Sequence, residues 1–456
     1  MTAGLTIARA IENKQTIHIS LNQRLSRLER VYVVFFSLFL NLLIINDLVR
    51  VFFSSNGRSI AFVQYLTYGV GLVFSLFYLI FSRREGRAKV IIFVFSLILG
   101  AITALSILRL NALEFFVENY FTVLFSRCLP AFILIMLING ETAEALLNNL
   151  LKYRFLWIAY AIIAMIYISS FSSYWGSSYA GNYGFNLLLP FALCFYCFMK
   201  KCRELQITEK SLKKKRRLIK LDIIRWLIYA VALLIFISLR GSRSAFLCGF
   251  AFIFFAFFFS GIVPKGIRQV LFLVLLILGI LAIVFFKQIT DLLVEMFPSS
   301  RTIHLLVDGF TADSGRFGIW EIFLKDLKKD PIIFRGLFSD RFFYSINVQK
   351  ASFVDPTNYP HNFVIEVLYQ FGYLFGIILL FFLTILCFRT AFILDKKRFQ
   401  NCSLSFLFYF FFIGSVVRLM LTSSYVSTFE FYAFLGIAFK INLLAKQKMP
   451  SYVIRL

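Results

Sequence analysis

Long apolar runs separated by short polar breaks fill most of this chain. A helix needs about 20 predominantly apolar residues to cross the hydrocarbon core of a bilayer. Runs of about that length lie at 31–48, 62–81, 90–108, 120–138, 155–172, 180–199, 221–239, 244–262, 268–286, 361–388, 404–421 and 425–445. The pattern predicts an all-α, polytopic integral membrane protein with about twelve transmembrane helices. The run at 361–388 is longer than a span requires, so it either tilts or raises its first turns above the membrane. No alternating pattern of the kind that builds a membrane barrel competes with these runs.

The runs divide the chain. Residues 1–30 form an N-terminal segment, 31–286 a bundle of about nine helices, and 287–360 one large polar loop. Residues 361–445 add about three helices, and 446–456 form a tail. The large loop holds nine basic and nine acidic residues, and loops of such length are usually functional. Within it, Asp313 or Ser314 is placed to cap a helix opening at Gly315–Arg316. Ile319, Trp320, Phe323, Leu324 and Leu327 then share one face, Lys325, Lys328 and Lys329 lie elsewhere, and Pro331 ends the pattern. Such an amphipathic helix lies on the membrane surface or closes over the bundle, or else packs inside a cap on it.

Composition sharpens the membrane reading. The 456 residues are 60% hydrophobic, 19% aromatic and only 16% charged, with a mean hydropathy of +0.81. A soluble domain needs more polar surface than this. The net charge of +25 sits largely in short loops. Arg83, Arg84, Arg87 and Lys89 mark one. Lys200–Lys220 carries ten basic residues. Lys265 and Arg268, then Arg389, Lys396, Lys397 and Arg398, and finally Lys446, Lys448 and Arg455, mark the others. With twelve spans every basic short loop falls on one side, which makes both termini cytoplasmic and the large loop extracytoplasmic. The charge is thus a topology signal that also suits anionic lipid headgroups. It gives no case for a nucleic-acid partner. The polar N-terminus shows no removable signal peptide, and the first span serves as an uncleaved signal.

Seven cysteines form no disulfide framework. Cys194 and Cys197 have a metal-like spacing but no second pair or nearby His, and read with Cys202 as small membrane residues. Neither a P-loop nor a clustered His–Glu metal site is present, so no cofactor and no metal are expected. The chain shows neither a tandem repeat nor an inverted half, which weakens a transporter reading.

Three positions carry candidate chemistry, all on the extracytoplasmic side. Arg240 and Arg243 flank the turn Gly241–Ser242 between adjacent spans, with Ser244 just inside the second. Guanidinium groups there can make paired hydrogen bonds to phosphate or carboxylate oxygens, or snorkel to lipid headgroups. Arg316 sits at the expected helix start in the large loop, where backbone N–H groups also favour an anion. His361 and Asn362 follow Pro360 where the polar loop meets hydrocarbon, and His361 is one of only three histidines. Its imidazole can take or relay a proton, or it can cap and anchor the helix. Glu366, an acid near a membrane face, calls for a partner or a function. Together these residues suit a lipid with a negatively charged headgroup and a hydroxyl nucleophile. The energy would come from an activated substrate.

At these residues the chain resembles the bacterial O-antigen ligase and O-antigen polymerase superfamily. Arg243-Ser-Ala-Phe-Leu247 is similar to its arginine motif. Ser314-Gly-Arg-Phe-Gly-Ile-Trp320, followed by Asp330-Pro331 and Gly336, is similar to its loop signature. His361-Asn362, then Gly372 and Gly376, resembles the ligase signature that begins with histidine. Phe375 departs from it, because ligases more often carry a small or hydroxylated residue there. The resemblance implies an inner-membrane glycosyltransferase that uses undecaprenyl diphosphate-linked glycan. A ligase would move O-antigen onto lipid A-core. A polymerase would extend a lipid-linked repeat. A transporter of the same lipids is the third reading. The resemblance implies that Arg243 and Arg316 stabilise diphosphate and that His361 activates the acceptor. Arg240, Ser242, Ser244 and Asn362 would assist at the substrate. Arg418, beside a later outer turn, joins them on topology alone.

Overall fold

The computed structural model describes residues 25–52, 57–82, 86–170, 177–209, 211–240, 243–259, 285–296, 316–395 and 403–446, with a few isolated positions between 270 and 281. Among the described residues every regular element is helical. In chain order these are α1 (Arg27–Phe52), α2 (Gly57–Phe81), α3 (Gly86–Leu110), α4 (Leu113–Met136), α5 (Gly140–Leu150), α6 (Arg154–Ser170), α7 (Ser177–Ile207), α8 (Lys213–Arg240) and α9 (Arg243–Phe259). They continue with α10 (Phe286–Met296), α11 (Arg316–Leu327), the single turn α12 (Ser339–Phe342), α13 (Phe363–Asp395), α14 (Ser403–Leu421) and α15 (Phe429–Lys446).

Seven of these helices are long and apolar enough to cross a membrane: α1, α3, α4, α7, α8, α13 and α14. The chain is therefore a polytopic all-α membrane protein. The expected spans at 62–81 and 244–262 fall on shorter apolar stretches, Gly69–Phe81 and Ser244–Ala256. Those at 155–172 and 425–445 fall on α6 and α15. Most of the run at 268–286 lies outside the described residues. The lipid-facing character is visible on α3 and α13, where Leu105, Leu108, Phe381, Phe388 and Phe392 are all exposed. Apolar exposure on that scale marks a surface made for lipid rather than water.

Local chemistry sets the ends of these helices. Ser26 and Glu29 form a capping box: Ser26 N donates to Glu29 Oε2 at 2.8 Å and Glu29 N donates to Ser26 Oγ at 3.2 Å. A second box, Asn139 with Thr142, opens α5. The expected spans leave 139–154 as a loop, yet 143, 146, 147 and 150 have helical spacing, and all four residues are buried. The helix is only eleven residues long, so a window sized for a membrane crossing passes over it. Lys200, from the basic end of α7, reaches Glu144 on α5 at 3.4 Å. That contact places α5 at the end of the bundle where the basic loops gather.

Polar pairs fix α1 in the interior. Asn149 donates to Ser37 Oγ at 2.9 Å, Trp157 Nε1 to Asn41 Oδ1 at 2.7 Å, and Tyr160 OH to Asp47 Oδ2 at 2.7 Å. Asn186 Nδ2 donates to the same Asp47 oxygen at 2.7 Å. The partners climb α5, α6 and α7 as the positions climb α1. Away from water, polar side chains must find one another, and here they set the register of four helices.

The long run at 361–388 is resolved by a kink. Gly372 has φ 74° and ψ 169°, so α13 is two arms, 363–371 and 373–395. The first arm is short and belongs with the loop structure, and the second is long enough to span. The break frees the Gln370 carbonyl, which accepts from the backbone N–H of Arg335 at 2.9 Å and of Gly336 at 3.1 Å. Tyr373 N donates to Pro331 O at 2.6 Å. A Cβ at Gly372 would stand 2.8 Å from Ile332 O. At Gly376 it would come within 3.1 Å of Leu368, because the two arms fold against each other. Gly372→Ala combines that clash with a left-handed backbone and should destabilise the fold by about 1–3 kcal/mol or more. Gly69→Ala is the control, since nothing lies within 4 Å of a Cβ there. Thermal unfolding in detergent should separate the two, and equal melting temperatures would refute the kink's role.

Candidate active site at the loop end of the bundle

The 316–360 stretch folds as a cap on the first arm of α13. Phe323 and Leu327 of α11 are fully buried and form a separate small core with Ile365 and Tyr369. Ile319 and Trp320 pack beside them, while Lys325, Lys328 and Lys329 are exposed. The apolar face of the amphipathic helix is thus covered by the first arm of α13. Trp320 Nε1 donates to the Pro360 carbonyl at 2.7 Å. This bond ties α11 to the residue that precedes His361. Arg316 is the first described residue of α11, one turn before Trp320, and the expected caps Asp313 and Ser314 lie outside the described residues.

His361 is held on three sides. Its φ is 54°, a left-handed conformation that few residues other than glycine adopt. Its ring packs on Tyr359 with centroids 4.1 Å apart. Its Nδ1 lies 3.1 Å from the Thr422 carbonyl oxygen, which also accepts from Tyr359 OH at 2.8 Å. A carbonyl only accepts, so Nδ1 carries a hydrogen, and whenever the ring is neutral its lone pair is on Nε2. Asn362 caps the helix: its Oδ1 accepts from Val364 N at 3.0 Å and Ile365 N at 3.2 Å.

Beneath His361 lies a charge network that the residue pattern does not announce. Arg341 of α12 is only 1% exposed. It pairs with Asp340 and, at 2.7 Å, with Glu366 Oε1. Its Nη2 donates to Ser424 Oγ at 2.5 Å, and its guanidinium stacks on Phe338 and Tyr359. Burial pulls this guanidinium down, but the Asp340 and Glu366 carboxylates outweigh burial and hold it above its ordinary range. Gln370 Nε2 donates to Asp340 Oδ1 at 2.8 Å, and Tyr425 OH donates to Gln370 Oε1 at 2.5 Å. Glu366 thus has a partner, as an acid at a membrane face requires. The partner lies 25 residues upstream in the loop. The network joins α12, α13 and the α14–α15 turn, and that turn supplies the Thr422 carbonyl to His361.

Arg418 lies in the same turn region but is engaged. Its Nη1 bonds Glu430 Oε1 at 2.8 Å, its Nε bonds Ser423 Oγ at 2.8 Å, and it stacks 3.9 Å over Phe185. The 413–421 stretch of α14 also packs against α9, the helix that Arg243 opens. Ser244 is buried in its first turn. Ser242 and the side chains of Arg240, Arg243 and Arg316 lie outside the described residues.

Residues 228–381 match the family model described as O-antigen ligase. The match covers about a third of the chain and supports its likeness to the broad O-antigen ligase and polymerase superfamily. Neither the curated proteins nor the solved structures give a match. The O-antigen ligase match takes in Arg240, Arg243, Ser244, Arg316, His361, Asn362, Gly372 and Gly376. It ends before α14 and α15. The carbonyl that orients His361 therefore comes from outside the matched O-antigen ligase segment.

Proposed function

We propose that this protein is an inner-membrane glycosyltransferase that moves O-antigen from undecaprenyl diphosphate to lipid A-core. The observation that carries the reading is the imidazole of His361, oriented by the Thr422 carbonyl so that the neutral ring has its lone pair on Nε2, inside the segment that matches the O-antigen ligase model. In this reading an acceptor hydroxyl attacks the anomeric carbon of the lipid-linked sugar. The bond from that carbon to the diphosphate oxygen breaks, and the hydroxyl proton passes to Nε2 of His361. The diphosphate leaves with its electron pair, and Arg243 and Arg316 neutralise the charge that develops on it. Arg240, Ser242 and Ser244 would hold the headgroup, with Arg418 at its edge. Asn362 would act by fixing the helix start. No metal or cofactor enters these steps.

Both termini would be cytoplasmic, with the site on the periplasmic side, as the distribution of basic loops supports. A second reading is a polymerase that extends a lipid-linked repeat, favoured by Phe375 where ligases more often carry a small residue. The deciding assay uses purified protein in lipid and labelled undecaprenyl diphosphate glycan. Lipid A-core and a single lipid-linked repeat are offered separately as acceptors. Label on lipid A-core supports the ligase. A lengthening ladder on undecaprenyl diphosphate overturns it in favour of the polymerase. In the same assay Arg243→Ala and Arg316→Ala should each lower turnover by about 100-fold or more, as loss of a charge-stabilising donor does. Normal turnover in either variant would remove that arginine from the mechanism.

A further inference from the structure

A groove of about 540 Å³ opens between the loop end of α3 and the cap; α12 lines it, but His361, Arg341 and Glu366 do not. Arg109 and Arg335 both line it, with Ser339 and Asn347 as further polar groups and Phe342, Phe343 and Tyr369 as aromatic walls. Arg335 is fixed from behind. Its guanidinium lies 4.9 Å over the Tyr369 ring, and Nη2 bonds the Asp326 carbonyl at 3.4 Å. The Nη1 edge is buried beside the groove without a partner. Ser339 is only 5% exposed, and its Oγ is likewise unpartnered. These two donors therefore have hydrogen-bonding capacity that the protein itself does not use. Asp326, whose carbonyl holds Arg335, has its carboxylate occupied by Tyr369 OH at 2.8 Å and Lys329 at 3.1 Å. Among the described residues Arg109 has no ion pair.

The groove also borders lipid. Leu105 and Leu108 on α3 and Leu113 at the start of α4 are exposed on either side of Arg109, and Ile346 is exposed on the wall. An occupant would meet two guanidiniums at one end and an apolar face at the other. Guanidinium pairs favour phosphoryl oxygens. We propose that this groove binds the phosphoryl headgroup of a membrane amphiphile whose chains lie along α3. Arg335 and Ser339 turn their unmatched donors to its oxygens as it seats, and Arg109 closes over it from the lipid side. The binding needs no glycan transfer and stands apart from the catalytic reading.

The test titrates fluorescent phosphatidic acid into the purified full-length protein in neutral detergent, with fluorescent phosphatidylcholine as counterpart. Phosphatidic acid should bind saturably and phosphatidylcholine about tenfold more weakly, a ratio in line with the loss of one charge-assisted contact. Arg335→Ala and Ser339→Ala should weaken phosphatidic acid binding. Arg109→Ala should weaken it about tenfold without touching the fold, because that side chain is exposed. Arg389→Ala, at the far end of α13, should change nothing. Unchanged binding in Arg109→Ala, or equal binding of the two lipids, overturns the proposal. Displacement of the lipid by millimolar inorganic phosphate would assign the groove to free phosphate and overturn the lipid assignment.

Discussion

His361→Asn is expected to lower glycan transfer by about 100- to 10,000-fold while leaving donor binding near normal. Asparagine is the informative replacement because of the backbone. His361 sits at φ 54°, a region that asparagine tolerates better than most residues. His361→Ala would remove the imidazole and strain the turn together. His361→Asn keeps the turn while removing the imidazole, its packing on Tyr359 and the group able to take a proton at Nε2. The measurement is single-turnover transfer beside equilibrium binding of the labelled donor. If both variants lose activity and keep binding, the imidazole acts in the chemistry. If His361→Asn transfers normally, or if binding falls as far as turnover, the residue serves the fold or the binding site, and the mechanism above fails.

Arg341→Met carries the second large effect, on stability as much as on turnover. The substitution leaves Asp340 and Glu366 buried side by side with no cation between them. Breaking a buried pair from one side costs about 3–5 kcal/mol, because the stranded charge can neither hydrate nor pair. The loss should show as a lower melting temperature in detergent. Activity should fall as well, because Ser424 and Tyr425 share the network and stand beside the Thr422 carbonyl that orients His361. The double variant Arg341→Met with Glu366→Gln removes one of the stranded charges and should recover part of the melting temperature. A double variant no more stable than Arg341→Met would show that charge imbalance is not the cause.

The legibility of the two cores differed for a physical reason. Apolar runs the length of a bilayer are selected by lipid itself, so α1, α3, α4, α7, α8, α13 and α14 could be read from hydropathy alone. Helix α5 also had its signature, in four apolar positions at helical spacing and a capping box, but on a segment too short to be read as a span. Helix α11 was legible in its buried face, since Phe323 and Leu327 follow the 3.6-residue period. What covered that face was not legible, because a helix pattern gives the direction of burial without naming the partner.

Arg341 shows where sequence reading stops. Nothing in Ser339-Asp340-Arg341-Phe342 distinguishes a solvated loop arginine from one that is 1% exposed. Its burial follows from the kink at Gly372, which folds the first arm of α13 under the cap and turns Glu366 toward α12. The glycine was visible in the motif. Its φ of 74° and the carbonyls crowding it were not. By itself the sequence determined the all-α membrane architecture and the buried face of α11, and it singled out Arg243, Arg316 and His361 as candidates, because periodicity and residue chemistry are local properties. Tertiary structure alone decided which ring nitrogen of His361 carries the proton, what balances Glu366, and that Arg418 pairs with Glu430. Each of these depends on a partner brought near by folding, and contact across the chain leaves no local signature.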